Sequence, residues 1–207
     1  MIIRPLKKED LASVANLHMD YLTTNFYKCI FSLNLFLYFY SSFLNSESDI
    51  ALVSEIEGHI VGYICLVTSV RILYITSIKV NLFPLLLNYI GLFILQPHRI
   101  MQEFFGRTQG LLNFGRSKSY LGQTNIIIDD NIKEMRPIVV RADYQGTLVA
   151  EALLDQAEER LKLQGENKYF LRTYRTNDRA INFFRKAGFI NVGTDGEDKL
   201  IMEKTFT

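Results

Sequence analysis

Val139-Val140-Arg141-Ala142-Asp143-Tyr144-Gln145-Gly146-Thr147-Leu148-Val149-Ala150 is the stretch that decides the fold. It closes an extended run over 135–140, turns at a glycine, and enters a helix over 148–164 whose apolar stripe is Ala152, Leu153, Ala157 and Leu161. A strand that runs through a short turn straight into a helix aims the unbonded N–H groups of the first helical turn, and the positive end of its dipole, at one place. A pyrophosphate suits such a cradle because it accepts several backbone hydrogen bonds at once, although an ordinary β-α turn with a glycine has the same local sequence. Further along, Gly165 reads as a C-cap, 169–173 as a strand, 177–187 as a helix stopped by Gly188, and 189–192 with 200–203 as two closing strands. Upstream, 1–6 reads as a strand, a helix follows with Leu11, Val14, Ala15, Leu17 and His18 on one face, and 31–44 reads as a second helix with an aromatic face of Phe36, Tyr38, Phe39, Tyr40 and Phe43. Residues 50–56 and 60–67 flank the turn Glu57-Gly58 and read as a hairpin.

The second decisive segment is Thr173-Tyr174-Arg175-Thr176-Asn177-Asp178-Arg179-Ala180-Ile181-Asn182-Phe183-Phe184-Arg185-Lys186-Ala187-Gly188-Phe189. Its order of strand, Asn, short amphipathic helix, Gly-Phe and strand resembles the GNAT superfamily of acyl-CoA-dependent N-acetyltransferases, whose members carry an Asn-x-x-Ala-hydrophobic helix closed by Gly-Phe. The first segment then resembles the acetyl-CoA loop of that family, written Gln/Arg-x-x-Gly-x-Gly/Ala, with Gln145 and Ala150 at its outer positions. Ile3-Arg4-Pro5 and the Glu57-Gly58 hairpin fit the family's opening, so the resemblance covers 1–67 and 134–207. The stretch between, with the aromatic second helix, is similar to a subgroup found among polysaccharide and sugar-modifying genes.

The resemblance implies an α/β (α+β) GNAT-type fold, a mixed central sheet flanked by helices, with the strands at 135–140 and 169–173 parallel and splayed. It implies acetyl-CoA as acyl donor, a small-molecule amine as acceptor, an amino sugar among the candidates, and direct attack in a ternary complex. The residues implied at the donor are Val139, Val140, Gln145, Gly146, Thr147, Leu148, Val149, Ala150, Asn177 and Phe184, with the Val140 N–H at the thioester. Glu134, where protein-modifying relatives place a glutamate, is the candidate base, with Asp129 and Asp130 as alternatives. Two positions depart from the pattern: Leu148 stands where the loop usually has Gly and is expected to crowd the phosphates, and Phe184 stands where many members have a proton-donating Tyr. Tyr174 is the nearest phenol, with water as the alternative donor. Arg172, Arg175 and Arg179 read as a group near the donor's 3′-phosphate.

Composition narrows the partners. Lys and Arg number 23 against 22 Asp and Glu, a net charge of +1, so no basic field holds nucleic acid by counterion release. Cys29 and Cys65 have neither a disulfide framework nor zinc spacing, so no metal is expected, and no cysteine has a basic partner to form an acyl-enzyme. The opening MIIRPLKKED places charges ahead of any apolar run, which leaves no secretory signal and an expected cytoplasmic location. The charge-free stretches 29–46 and 80–98 are interrupted, the second by Pro84, Asn88, Gly91 and Pro97, and neither offers the about 20 apolar residues of a transmembrane span. One domain over 1–207 is expected, with an apolar helical insertion at about 71–131. That insertion is expected to pack as a flap over the acceptor side, burying Leu82, Leu85, Leu86, Ile90, Phe93 and Ile94; a homodimer or a peripheral membrane contact through Arg99, Arg107, Arg116 and Lys118 is the other cover. A non-catalytic module that acts through this apolar insertion is the alternative to an enzyme.

Overall fold

The computed structural model describes residues 1–22, 33–68 and 132–206. The expected insertion at 71–131, its flap, and Asp129, Asp130 and Cys29 lie outside the described residues. In chain order the elements are β1 (Ile2–Pro5), α1 (Leu11–Tyr21), α2 (Leu33–Ser41), β2 (Ile50–Ile56), β3 (His59–Val67), β4 (Lys133–Val140), α3 (Val149–Leu163), β5 (Lys168–Tyr174), α4 (Asp178–Lys186), β6 (Ile190–Asp195) and β7 (Lys199–Thr205). The strands form a seven-stranded sheet in the order β1-β2-β3-β4-β5-β7-β6, in which β4 and β5 are parallel and every other pair is antiparallel. This is the mixed α/β architecture the resemblance implies.

Strand alternation sorts the core into two layers. Leu52, Ile64, Leu66, Met135, Tyr169, Leu171 and Met202 point to the face covered by α3 and α4. On α3 the buried stripe is Val149, Leu153, Ala157 and Leu161 at strict spacing of four, flanked by Leu154; the expected Ala152 is only partly buried. Val53, Tyr63, Cys65, Val67 and Val139 point to the other face, under Val14, Ala15 and Leu17 of α1 and Phe36 and Tyr40 of α2. The aromatic face of α2 is therefore core, except that Tyr38 is exposed.

Both glycines that end helices act through one motif. After α4, Gly188 takes φ +92, its N–H donates to the Arg185 carbonyl at 3.1 Å, and the Phe189 N–H donates back to the Phe184 carbonyl at 2.9 Å. This closure satisfies orphan carbonyls and turns Phe189 into the core against Tyr169 and Phe184. Gly165 closes α3 in the same way, with Gly165 bonded to Lys162 and Glu166 to Leu161. At the other end of α4, the Asn177 Oδ1 accepts from the Ala180 N–H at 3.1 Å. The Asn and Gly-Phe that mark the sequence are thus the two caps of one short helix.

The register of β4 places the most consequential irregularity. Against β3 it pairs Val140 with Gly62, Val139 with Tyr63 and Ile138 with Ile64, and then Met135 with Leu66. The step from Ile138 to Met135 is one residue longer than the matching step on β3, which is a bulge at Arg136–Pro137. Pro137 has no N–H to give to either neighbouring strand, so a bulge is where the ladder tolerates it. Against β5, β4 pairs only Lys133 with Tyr169 and Glu134 with Phe170. From the bulge onward the two parallel strands part, as the resemblance implies. Gly62, opposite Val140, permits the close approach of β3 to this end of β4, because a Cβ there would lie 2.9 Å from the Val139 carbonyl oxygen.

One buried polar cluster ties the α1/α2 layer to the sheet. The Tyr40 hydroxyl lies 2.6 Å from His18 Nδ1 and 2.8 Å from the Tyr63 hydroxyl, which is itself 3.3 Å from His18 Nδ1. Burial lowers the His18 pKa to about 4, so the ring is neutral in the folded protein at neutral pH. Because the unfolded chain binds a proton near pH 6.5 and the folded one does not, His18 contributes stability above that pH that is lost as pH falls toward about 4. Urea unfolding of wild type and His18→Gln from pH 7 to pH 4 should show wild type losing about 3 kcal/mol more over that window. Parallel pH profiles would contradict the assignment.

Candidate functional site

The parting of β4 from β5 leaves a gap whose wall is the free edge of β4. The Arg141 N–H donates to the Val61 carbonyl at 2.8 Å, which makes Val140 and Gly62 a non-hydrogen-bonded pair. The N–H and C=O of Val140 therefore face away from β3 and into the gap, and alternation gives Ile138 the same direction. Beyond Glu134 no β5 residue pairs with this edge. An unpaired strand edge inside a sheet accepts an extended, amide-bearing guest as it would a strand.

The turn after β4 builds the cradle. A single 3-10 turn (Ala142–Tyr144) leads to Gln145, Gly146 and the first residues of α3. Gly146 holds φ +83, a conformation glycine adopts freely, and a Cβ there would meet no atom within 4 Å. The Thr147 hydroxyl donates to the Tyr144 carbonyl and lies 3.4 Å from the Val149 N–H. The N–H groups of Ala150 and Glu151 lie in the first turn of α3 and, like those of Gly146 and Leu148, have no intrachain acceptor among the described residues. Leu148 has φ −71 and is 70% exposed, so leucine costs this backbone nothing and most of its side chain lies in solvent. The Tyr21 hydroxyl, at the end of α1, accepts from the Ala142 N–H at 2.9 Å and ties that helix to the turn.

Across the mouth of the gap, the Gln145 Nε2 donates to the Val140 carbonyl at 3.1 Å while its Oε1 accepts from Arg179 Nη1 at 2.6 Å. Of the three arginines read as a group, Arg172 and Arg179 take different partners. Arg172 turns onto the sheet face, where its Nη1 meets the Glu134 carboxylate at 2.6 Å and its Nε lies 3.2 Å from Asp195 Oδ2 without hydrogen-bond alignment. Only Arg179 bonds to the loop. Asn177 caps α4, and Phe184 is buried in the core with its ring against Phe183 and Phe189. Tyr174 ends β5 at the open side of the gap, exposed, with the Lys199 ammonium 5.2 Å from its ring.

Glu134 lies at the closed foot of the gap. It is 4% exposed; its Oε1 accepts from Arg136 Nε at 2.8 Å, and its Oε2 forms an ion pair with Arg172 Nη1 at 2.6 Å. Met135 points to the α3/α4 layer, so Glu134 faces the opposite side of the sheet with Phe170 and Arg172, which stack at 5.0 Å. Along one strand, Glu134 and Val140 are roughly 20 Å apart at about 3.3 Å per residue. One reacting centre cannot touch both, so the expectation that Val140 contacts the thioester while Glu134 acts as base does not fit this strand as a pair. The sequence reading also passed over Pro137, Arg136 and Asp195. A proline inside a β-branched run was the available sign of the bulge.

The sequence matches the acetyltransferase (GNAT) family over residues 90–189. No curated protein matches it. Among solved structures, the PaiA N-acetyltransferase of Thermoplasma acidophilum, in complex with coenzyme A, is 18% identical over 99% of this chain and 98% of its own, with a TM-score of 0.58. The ribosomal-protein-alanine N-acetyltransferase of Brucella melitensis is 14% identical over 100% of both chains, with a TM-score of 0.59. An aminoglycoside 6′-acetyltransferase type Ii is 14% identical over 99% of this chain and 97% of its own, with a TM-score of 0.58. At these identities the likeness establishes the fold.

The backbone of the turn separates its two unusual residues. Gly146→Ala should cost about 1–2 kcal/mol in urea unfolding, from the positive φ alone, whereas Leu148→Ala should stay within about 0.5 kcal/mol. Equal costs would mean that the turn is not held in this conformation.

Proposed function

We propose that the chain, which matches the acetyltransferase (GNAT) family over residues 90–189, is a member of that family, and that it transfers the acetyl group of acetyl-CoA to the amine of a small molecule, with amino sugars as the acceptor class. The observation that carries this reading is the parting of β4 and β5 at the Arg136–Pro137 bulge, directly below a turn that presents free N–H groups. The fit of the donor rests on this chain's own groups. The N–H groups of Gly146, Leu148, Ala150 and Glu151 suit a pyrophosphate, and the gap-facing N–H and C=O of Ile138 with the Val140 N–H suit an amide-bearing arm. Acetyl-CoA supplies an activated carbonyl whose C–S bond breaks as the amine nitrogen bonds to the acetyl carbon.

Of the two gap-facing groups, Ile138 lies deeper, beside the bulge, and takes the part of the thioester contact; Val140 serves the arm nearer the mouth. Glu134 lies four residues, about 13 Å, along the strand from Ile138, so it takes the proton that the amine gives up through a water relay rather than by direct contact. Its Oε1 accepts from Arg136 and its Oε2 pairs with Arg172, so the proton reaches it through water. Tyr174 or water returns a proton to the thiolate, since the Phe184 ring has none to give. The amino-sugar class draws its support from the sugar-modifying resemblance and from the aminoglycoside acetyltransferase among the structural neighbours.

A binding-only role is the second reading. It is favoured by the double engagement of Glu134 and by Phe184 in place of a phenol.

Two measurements test these readings. Calorimetric titration of acetyl-CoA should give saturable one-site binding, and a screen of amino sugars, amino acids and peptides should show acceptor-dependent thiol release with an amino sugar. Binding without release from any acceptor would favour the second reading, and no binding would overturn both. Glu134→Gln should lower turnover about 10²-fold with acetyl-CoA affinity within twofold. An unchanged rate would move the role to water.

A further inference from the structure

We infer that Arg179 is a phosphate clamp for the donor, and that Gln145 occupies it in the free protein as a stand-in for a phosphate oxygen. The inference rests on the acetyl-CoA reading above and adds to it a residue and a change of partner on binding.

Position comes first. Arg179 lies in the first turn of α4, which begins just past the end of β5, while Gln145 immediately precedes Gly146 in the cradle. The Arg179 Nη1 to Gln145 Oε1 bond, at 2.6 Å, therefore puts a guanidinium one residue away from the free N–H groups, on the far side of the gap mouth. Through its Nε2, Gln145 passes that link on to the Val140 carbonyl. The chain Arg179, Gln145, Val140 spans the mouth from α4 to β4.

Charge comes second. Arg4, Arg136, Arg141 and Arg172 each pair with a carboxylate. Arg179 forms no ion pair among the described residues; its side-chain partner there is a neutral amide oxygen. One amide oxygen engages a fraction of a guanidinium's five donors, whereas a phosphate takes two in parallel and carries the opposite charge. The carboxylates in this region are Asp143, held by Arg141 through two bonds, and Asp178 and Glu151, both exposed in the first turns of α4 and α3. A phosphate arriving at the cradle offers Arg179 a better acceptor than Gln145 does, and releasing Gln145 unlinks the two walls.

The donor carries phosphate in two places, the pyrophosphate and the 3′-phosphate, and the test separates them. Wild type and Arg179→Met are titrated by calorimetry with coenzyme A, 3′-dephospho-coenzyme A and pantetheine, and both proteins are checked for equal thermal midpoints. Arg179→Met should weaken coenzyme A about tenfold to a hundredfold, as expected for a hydrogen bond to a charged group. It should leave pantetheine within twofold and flatten the dependence of coenzyme A affinity on salt. A loss that persists with 3′-dephospho-coenzyme A assigns the clamp to the pyrophosphate; a loss confined to coenzyme A assigns it to the 3′-phosphate. Equal binding of coenzyme A by both proteins, tighter binding by the variant, or an equal loss for pantetheine would overturn the clamp while leaving the acetyl-CoA reading intact. A wild type that binds neither coenzyme A nor pantetheine overturns that reading, and the clamp with it.

Discussion

Pro137 interrupts the middle of the sheet, and the arrangement of the site follows from that interruption. A central strand of a mixed sheet ordinarily bonds on both edges, and an unpaired buried edge costs the free energy of every group left without a partner. Here β4 keeps its partner on the β3 side, with one extra residue absorbed at Arg136–Pro137, and gives up its partner on the β5 side above Glu134. The chain tolerates this because β5 pairs along its length with β7, from Lys168 opposite Thr205 to Tyr174 opposite Lys199, and because Gly62 lets β3 lie close to the free end of β4.

The surrounding elements hold the gap at a fixed width. Below it, Lys133 and Glu134 pair with Tyr169 and Phe170, and the Arg136, Glu134, Arg172 and Asp195 side chains cross from β4 to β5 and on to β6. Above it, α4 is kept short by Asn177 at one end and by Gly188-Phe189 at the other, and Phe184 anchors it in the core beside Phe189. Glu134 at the foot is buried, so removing its arginine partners would leave its charge uncompensated. The foot keeps β4 and β5 together, and among the described residues the mouth is bridged by Gln145 and Arg179.

How much of this could be read beforehand depended on how local each cause was. Caps and turns are local, so Asn177, Gly165, Gly188 and Glu57-Gly58 were legible, and so were the helices and strands they bound. The cradle was legible for the same reason, since strand, glycine turn and helix follow one another without interruption. The partners of the charged side chains were not, because they depend on register: Glu134 meets Arg172 only once β4 and β5 align, and Asp195 joins through β6 and β7. The Leu148 φ of −71 suits any residue, and the position that needs glycine is Gly146.

Amide hydrogen exchange at Ile138 and Val140, followed by NMR with and without coenzyme A, tests the central claim most directly. The free edge predicts fast exchange at both amides in the free protein, slow exchange at Val139, whose N–H faces β3, and marked protection of Ile138 and Val140 once coenzyme A is bound. Slow exchange at both in the free protein, or no change on binding, would contradict an open gap between β4 and β5.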